Sequence, residues 1–166
     1  HTTVKHFEMI TGVYLKLKSK YKDKIDFVLI GDETYHHKKL GIKGLKWENK
    51  IEVELFNSFD VGIMPLPDNE WAKGKCGMKG LLYMSVGIPS VMSNVGMNKD
   101  IIEHGKNGFL FDPHTNASEV IKLIKQADKI KTNTRSSVMP YSWKNCSNKI
   151  ANKANFVEPV ILYSRK

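Results

Sequence analysis

The sequence has 166 residues, 41% of them hydrophobic and 10% aromatic, and its 26 Lys and Arg against 17 Asp and Glu give a formal net charge of +9. This composition suits one folded domain over residues 1–166, and no apolar run approaches the roughly 18 residues that a membrane-spanning helix requires. The charge favours phosphate groups or an anionic membrane face as partners. Nucleic acid is not predicted as a partner, because no nucleic-acid-binding motif accompanies the charge.

The first half of the chain alternates helical and strand patterns. The opening HTTVKHFEMI lacks the apolar core of a signal peptide, and its apolar residues continue at helical spacing, which predicts a helix over 3–20. A buried strand is predicted at 25–32, a weaker strand with two glycines at 38–47, a helix at 49–59 and a buried strand at 60–67. A chain that opens on a helix, with no strand before it, is expected to be a fragment.

The second half continues the alternation. A helix is predicted at 77–86, a strand at 89–93, a short helix at 98–105 and a strand at 107–113. A helix at 116–127 follows, with Asn116 placed to cap it. This order predicts an α/β fold, a parallel sheet with helices on both faces.

The end of the chain is less regular. A further helix is predicted at 141–154, followed by an apolar tail.

Cysteine usage indicates the compartment. Cys76 and Cys146 are the two cysteines, and neither has a second cysteine or histidine at metal-ligand spacing. Two free thiols and a cytosolic protein are predicted, and no metal site.

A glycine-rich and lysine-rich segment follows the strand at 60–67. In an open α/β sheet, ligands bind beyond the carboxyl ends of the strands. The segment ends where a helix begins, so free backbone N–H groups there favour an anion. Gly74 and Gly77 allow a ligand close to the backbone, and Lys75 and Lys79 add positive charge. These properties suit a diphosphate, although the segment has neither P-loop nor GxGxxG spacing and a surface loop with solvated lysines is the alternative.

Other residues of this segment have two readings each. Asp68 and Glu70 could orient a sugar hydroxyl or pair with a lysine. Trp71 could cover an apolar sugar face or hold the loop in place.

Two parts of residues 60–111 form a recognisable pattern: the run YMSVGIP from Tyr83 to Pro89 and the stretch from Gly96 to Phe111. With these, residues 60–111 resemble the C-terminal half of group 1 glycosyltransferases, the large GT-B family that uses nucleotide-sugar donors. The helix and strand before residue 32 and Tyr141-Ser142-Trp143 also fit.

The resemblance implies a Rossmann-like donor-binding domain of a transferase. The acceptor-binding domain and the first strand of this domain would then be missing, so the fragment is expected to be inactive alone. The tail at about 141–166 is expected to pack on the missing domain. Members of the family transfer with retention and need no metal, because basic residues and a helix N-terminus neutralise the diphosphate.

The resemblance also implies a partner set and a location. The expected partners are a nucleotide-diphosphate sugar and a glycan or lipid-linked acceptor, in cell-surface polysaccharide synthesis. The expected location is the cytoplasm, with peripheral contact to the inner membrane face.

The sequence departs from the family at two carboxylates. Many members carry Glu-x7-Glu, and alignment on Gly77 places Gly74 and Leu82 at those positions. Lys79 is the first candidate for the diphosphate, followed by the N–H groups of Gly77 and Met78, and Glu70 is a candidate replacement for a missing carboxylate. The predicted donor-binding residues are Glu70, Gly74, Lys75, Cys76, Gly77, Met78 and Lys79; no catalytic residue is predicted. The alternatives are a non-catalytic basic binding module of the same fold and a nucleotide-sugar epimerase.

Overall fold

The structure is a computed structural model that describes residues 2–46, 52–127, 129–130, 134–142 and 145. Its helices are α1 Thr2–Glu8, α2 Thr11–Tyr21, α3 Glu52–Asn57, α4 Glu70–Lys73, α5 Met78–Ser85, α6 Asn98–Ile101, α7 Ala117–Ala127 and α8 Thr134–Ser137. Its strands are β1 His36–His37, β2 Ile42–Lys43, β3 Gly62–Met64, β4 Ser90–Ser93 and β5 Gly108–Phe111. Short 3₁₀ turns occupy Lys22–Lys24, Lys38–Leu40 and Met139–Tyr141.

A parallel sheet forms the centre of the fold. Its strand order is β3-β4-β5, with Gly62 opposite Ser90 and Ser90 opposite Gly108. All four residues of β4 are buried, as expected for a central strand covered on both faces. The predicted α/β fold with a parallel sheet is therefore confirmed.

Two apolar clusters cover the two faces of this sheet. Successive side chains of a strand point to opposite faces, and Val91 and Met92 of β4 belong to different clusters. The Val91 cluster includes Tyr14 and Leu17 of α2 and Val120 of α7. The Met92 cluster is rich in methionine and includes Met64 of β3, Met84 of α5 and Ile101 of α6. Helices therefore lie on both faces, as the sequence predicted.

The helix predicted over 3–20 is wrong in one respect, because it is broken into α1 and α2. Ile10 has φ −113° and ψ 25°, outside α-helical values. Ile10, Val13 and Tyr14 are all buried. The break thus turns these residues toward the core.

The strands predicted at 25–32 and 38–47 are wrong in extent. Residues 25–29 form no strand, and the described pairing of this segment is a parallel bridge between Ile30 and Leu45, with the Gly31 and Leu45 N–H groups each donating at 2.8 Å. The predicted strand at 38–47 begins instead with a 3₁₀ turn, and its β2 pairs antiparallel with β1, which lies just before that turn. Gly41, with φ +70°, makes the turn between them.

Three further differences shorten or add elements. Strand β3 ends at Met64 rather than 67, because Pro65 and Pro67 have no N–H to pair. Helix α6 ends at Ile101 rather than 105, where buried Asn107 donates to its carbonyl oxygen at 3.2 Å. Helix α4 lies within the predicted loop.

The helix at 116–127 is confirmed with its cap. The Asn116 side-chain oxygen accepts from the Glu119 N–H at 3.1 Å, and α7 runs from Ala117 to Ala127. The strands at 89–93 and 107–113 and the helix at 77–86 are confirmed as β4, β5 and α5.

Most of the C-terminal predictions fall outside the described residues. These are the helix at 141–154 beyond Tyr141, Ser142 and Asn145, the thiol of Cys146, and the contact of the tail with another domain. Tyr141 itself donates its hydroxyl to the Asp100 carbonyl oxygen at 2.5 Å. Within the described residues, no helix combines the length and apolar character that crossing a bilayer would require.

Candidate functional site

The candidate site is the segment between β3 and α5, at the carboxyl end of the sheet. The Asn69 side chain caps α4 by accepting from the Ala72 N–H at 2.9 Å. Ala72 is fully buried and fixes α4 on the Met92 cluster. Gly74 ends α4 with φ −73° and ψ −3°. The chain then passes through Lys75 and Cys76 to α5.

Gly77 begins α5 in a conformation that other residues rarely adopt. Its φ is +66°, in the left-handed region, and a Cβ there would overlap Ile101 Cδ1 of α6. This close approach brings the start of α5 against α6. The described hydrogen bonds include none donated by the N–H groups of Gly77, Met78 or Lys79, and no side chain caps α5. These N–H groups are therefore available to an anion at the helix N-terminus.

Two other glycines let α5 lie close to the sheet. A Cβ on Gly80 would be 2.6 Å from Met92 Sδ, and one on Gly62 of β3 would overlap the Tyr83 ring. The two glycines thus allow a short distance between α5 and strands β3 and β4, and this packing fixes the position of the helix N-terminus.

Lys73 is neutralised within the loop. Its ammonium lies 3.4 Å from Asp68 and 3.0 Å from Glu70, and both contacts are exposed. Glu70, a predicted donor-binding residue, has a side chain that is 92% exposed and is engaged by Lys73. Hydrogen bonds to Glu70 and then Asp68 raise the pKa of Lys73 above its usual value.

Lys75 and Lys79 have no such compensation. None of the ion pairs among the described residues includes either lysine. Burial lowers the pKa of Lys75, an effect that a Coulombic interaction with the neighbouring Cys76 partly opposes. The Lys79 side chain has a large exposed area, yet surrounding protein removes water from its ammonium. This desolvation, and then the charge of Lys75, lower the pKa of Lys79.

Trp71 and His6 complete this side of the loop. The Lys75 ammonium lies 3.9 Å from the Trp71 ring centroid, in a cation–π arrangement. The half-buried imidazole of His6, on α1, lies 5.3 Å from the same ring. Burial lowers the pKa of His6, and the charges of Lys75 and Lys79 lower it further. Both ammonium groups therefore act on the His6 ring.

The structure brings most of the sequence-predicted residues together. Gly74, Lys75, Cys76, Gly77, Met78 and Lys79 all lie at the start of α5, and Cys76 is an exposed free thiol. Glu70 lies on α4 with Lys73. At the positions where the family pattern has carboxylates, Gly74 ends α4 and Leu82 is half-buried on α5.

Sequence reasoning missed His6, because its place beside the loop depends on long-range packing and no local pattern marks it.

A separate crevice lies near α6. Its volume is about 610 Å³, and its lining includes Lys99, Glu103, Lys106 and Tyr141 but none of the predicted donor-binding residues. Lys106 is paired there with Glu103 at 2.9 Å. Among the described residues, no group of three His, Cys, Asp or Glu side chains could hold a metal ion.

The comparisons with known proteins agree with this architecture. Residues 2–127 match the family model for glycosyl transferases group 1. The chain therefore belongs to the group 1 glycosyl transferases, and the resemblance inferred from residues 60–111 is confirmed. A comparison with curated protein sequences found no match.

Solved structures show the same fold. The crystal structure of Anabaena Alr3699/HepE in complex with UDP and glucose has a TM-score of 0.65 and 18% identity, and covers 87% of this chain. Its complexes with UDP-glucose and with UDP each have a TM-score of 0.59, with 16% and 17% identity. The match covers 44% of each HepE chain, so this chain spans less than half of their length.

Proposed function

We propose that this chain is the nucleotide-sugar-binding domain of a glycosyltransferase, and that the donor diphosphate lies at the start of α5. The observation that carries the proposal is the pair Lys75 and Lys79. Both have lowered pKa values and no described ion pair, beside N–H groups with no described acceptor. A diphosphate would supply the negative charge that the two ammonium groups and the N–H groups at the start of α5 lack.

Each group has a defined role in this proposal. The N–H groups of Gly77, Met78 and Lys79 donate to one phosphate, as at other helix N-termini. The ammonium groups of Lys75 and Lys79 neutralise the diphosphate as it leaves the sugar. The charge that a metal ion would supply then comes from the protein, so we propose transfer without a metal cofactor.

The rest of the donor requires contacts that Gly74 and Leu82 do not provide. Glu70 is the nearest replacement on α4, and it would have to exchange its contact with Lys73 for one with the sugar. The loss of both carboxylates favours a second candidate function, a non-catalytic basic module of the same fold.

The proposal extends to the reaction of the whole protein. We propose a hexosyl transfer to a glycan or lipid-linked acceptor held by another domain, in cell-surface polysaccharide synthesis. The protein would work in the cytoplasm with peripheral contact to an anionic membrane, through its charge of +9. This chain alone would bind donor without transferring sugar.

An NMR titration of the chain with UDP tests the site. We expect amide shifts centred on residues 74–80, because the donated hydrogen bonds change there on binding. Absence of shifts in this segment at millimolar UDP would overturn the proposal.

An assay of the full-length protein separates the alternatives. Binding to anionic vesicles without donor turnover indicates the non-catalytic module. Formation of a free sugar product from the nucleotide-sugar donor, with no acceptor present, indicates an epimerase.

A further inference from the structure

His6 belongs to the same cluster as the loop lysines, although 65 or more positions separate it from them. We define the His6 cluster as His6, Trp71, Lys75 and Lys79. The Trp71 ring contacts both His6, at 5.3 Å between ring centroids, and the Lys75 ammonium, at 3.9 Å from the ring centroid. Trp71 is 53% exposed, so the cluster borders solvent. Its two lysines are those proposed above to bind the diphosphate.

The charged groups around His6 are predominantly positive. Lys75 in the loop and Lys79 on α5 both act on the ring. On α1 itself, Lys5 is adjacent in sequence, and the Glu8 carboxylate accepts from the Tyr35 hydroxyl at 3.5 Å.

The carboxylates of the loop are engaged elsewhere. Asp68 and Glu70 both pair with Lys73. The described ion pairs and hydrogen bonds therefore include no carboxylate partner for His6, and a protonated His6 would be a third uncompensated cation in the cluster. The neutral imidazole is favoured in the ligand-free chain.

We propose that His6 is a further anion-binding residue, and that it takes up one proton from the solvent when the donor diphosphate binds. The inference rests on the function proposed above. The proton comes from bulk water or buffer and converts the imidazole to an imidazolium ion, and no bond of the donor is broken. The bound diphosphate then faces three positive side chains and the N–H groups of α5.

The direction of the coupling follows from the charges. The diphosphate of a nucleotide sugar carries two negative charges, which favour the protonated imidazole and raise the pKa of His6 from its lowered value in the free chain. Between the free and bound values, binding takes up protons. Affinity therefore rises as the pH falls through the bound-state pKa, and levels off below the free-state pKa. Each unit of pKa increase makes binding about tenfold tighter at low pH.

Calorimetric titration of the 166-residue chain with UDP-glucose tests the inference. UDP-glucose is chosen because its diphosphate is a diester with no proton to titrate near neutrality, whereas the terminal phosphate of UDP titrates near pH 6. Titrations from about pH 5.5 to about 7.5, in two buffers of different ionisation enthalpy, give the number of protons taken up. We expect up to one proton, and roughly tenfold tighter binding at the acid end.

Three variants assign the proton. His6→Gln is expected to abolish the uptake and flatten the pH dependence. His6→Lys, with a permanent charge, is expected to bind tightly at every pH without uptake. His114→Gln, at an exposed position in the turn after β5, is the matched control and should behave as the unsubstituted chain.

The outcomes distinguish the two proposals. UDP-glucose binding with no proton uptake, or with uptake that persists in His6→Gln and in His6→Lys, overturns the role of His6 and leaves the donor site intact. No binding of UDP-glucose at any pH overturns both.

Discussion

The two ends of the loop between β3 and α5 carry the same side chain in opposite electrostatic settings. On α4, Lys73 lies between Asp68 and Glu70 and is exposed. At the start of α5, the Lys75 ammonium lies over the Trp71 ring, the charges of Lys75 and Lys79 both act on His6, and the described ion pairs include neither lysine. Exposed ion pairs contribute little to stability, so Lys73 serves the solvated surface. Lys75 and Lys79 lack a carboxylate partner among the described ion pairs, and their positive charge stays available to a ligand.

The largest expected effect comes from the glycine that separates these two ends. Gly77→Ala should lower the free energy of unfolding by about 2–4 kcal/mol, because it adds left-handed strain and an overlap with Ile101. Gly87→Ala is the matched control, since Gly87 has φ +85° and open space around it. Urea unfolding should give a smaller loss for Gly87→Ala, of about 1–2 kcal/mol. Equal losses in the two variants would contradict the tight contact of α5 with α6.

The next effect is on ligand binding by the two kinds of lysine. Lys79→Ala should weaken UDP binding by about 1–3 kcal/mol, because a charge-assisted contact is lost. Lys73→Ala should leave the affinity unchanged, since Lys73 is engaged by two carboxylates. Calorimetry on both variants measures the difference. Equal weakening would mean that overall charge, rather than the site, attracts the nucleotide.

A smaller effect is expected from the aromatic ring of the His6 cluster. Trp71→Ala should weaken UDP binding by about 0.5–1 kcal/mol, because Lys75 loses the cation–π contact that holds its ammonium in place. Trp71→Phe should restore part of the affinity. If Trp71→Ala and Trp71→Phe bind UDP equally well, the ring has no role in placing Lys75.

The smallest effect is the pH dependence of stability. The pKa of Lys79 is below its unfolded value of about 10.5, so the unfolded chain binds more protons and the free energy of unfolding rises with pH towards that value. The pKa of Lys73 is above 10.5, so its contribution is complete below that pH and is lost above it.

Two substitutions test these opposite signs. Lys79→Met should raise stability near neutral pH and reduce the alkaline rise, whereas Lys73→Met should lower stability slightly. Urea unfolding between about pH 8 and 10.5 compares them. A Lys79→Met variant that is less stable than the unsubstituted chain at neutral pH would show that the ammonium is well compensated.

The parts of the fold that the sequence predicted are those with strong local signals. The helix at 116–127 has an apolar face and the Asn116 cap, and β4 is a short apolar run. The break at Ile10 was not predictable, because it is set by burial against other elements. The early end of α6 was missed for the same reason, since it depends on the buried side chain of Asn107.

The site divides in the same way. Gly77 and Lys79 are adjacent to a predictable helix start, so residue type and spacing were enough to select them. His6 and the engagement of Glu70 by Lys73 required three-dimensional packing.

The methionines between α5 and the sheet have a mechanical consequence. Met84 and Met92 are fully buried, and Met92 Sδ would lie 2.6 Å from a Cβ on Gly80. Thioether side chains have three rotatable bonds and fill irregular space easily, whereas stacked rings such as Phe7 and Tyr14, 4.5 Å apart, do not. The N-terminal amides of α5 are those proposed to bind the diphosphate. Small displacements of this helix can therefore be absorbed by rotamer changes of the methionines between it and the sheet. The opposite face of the sheet, which carries the stacked rings, would yield less to such a displacement.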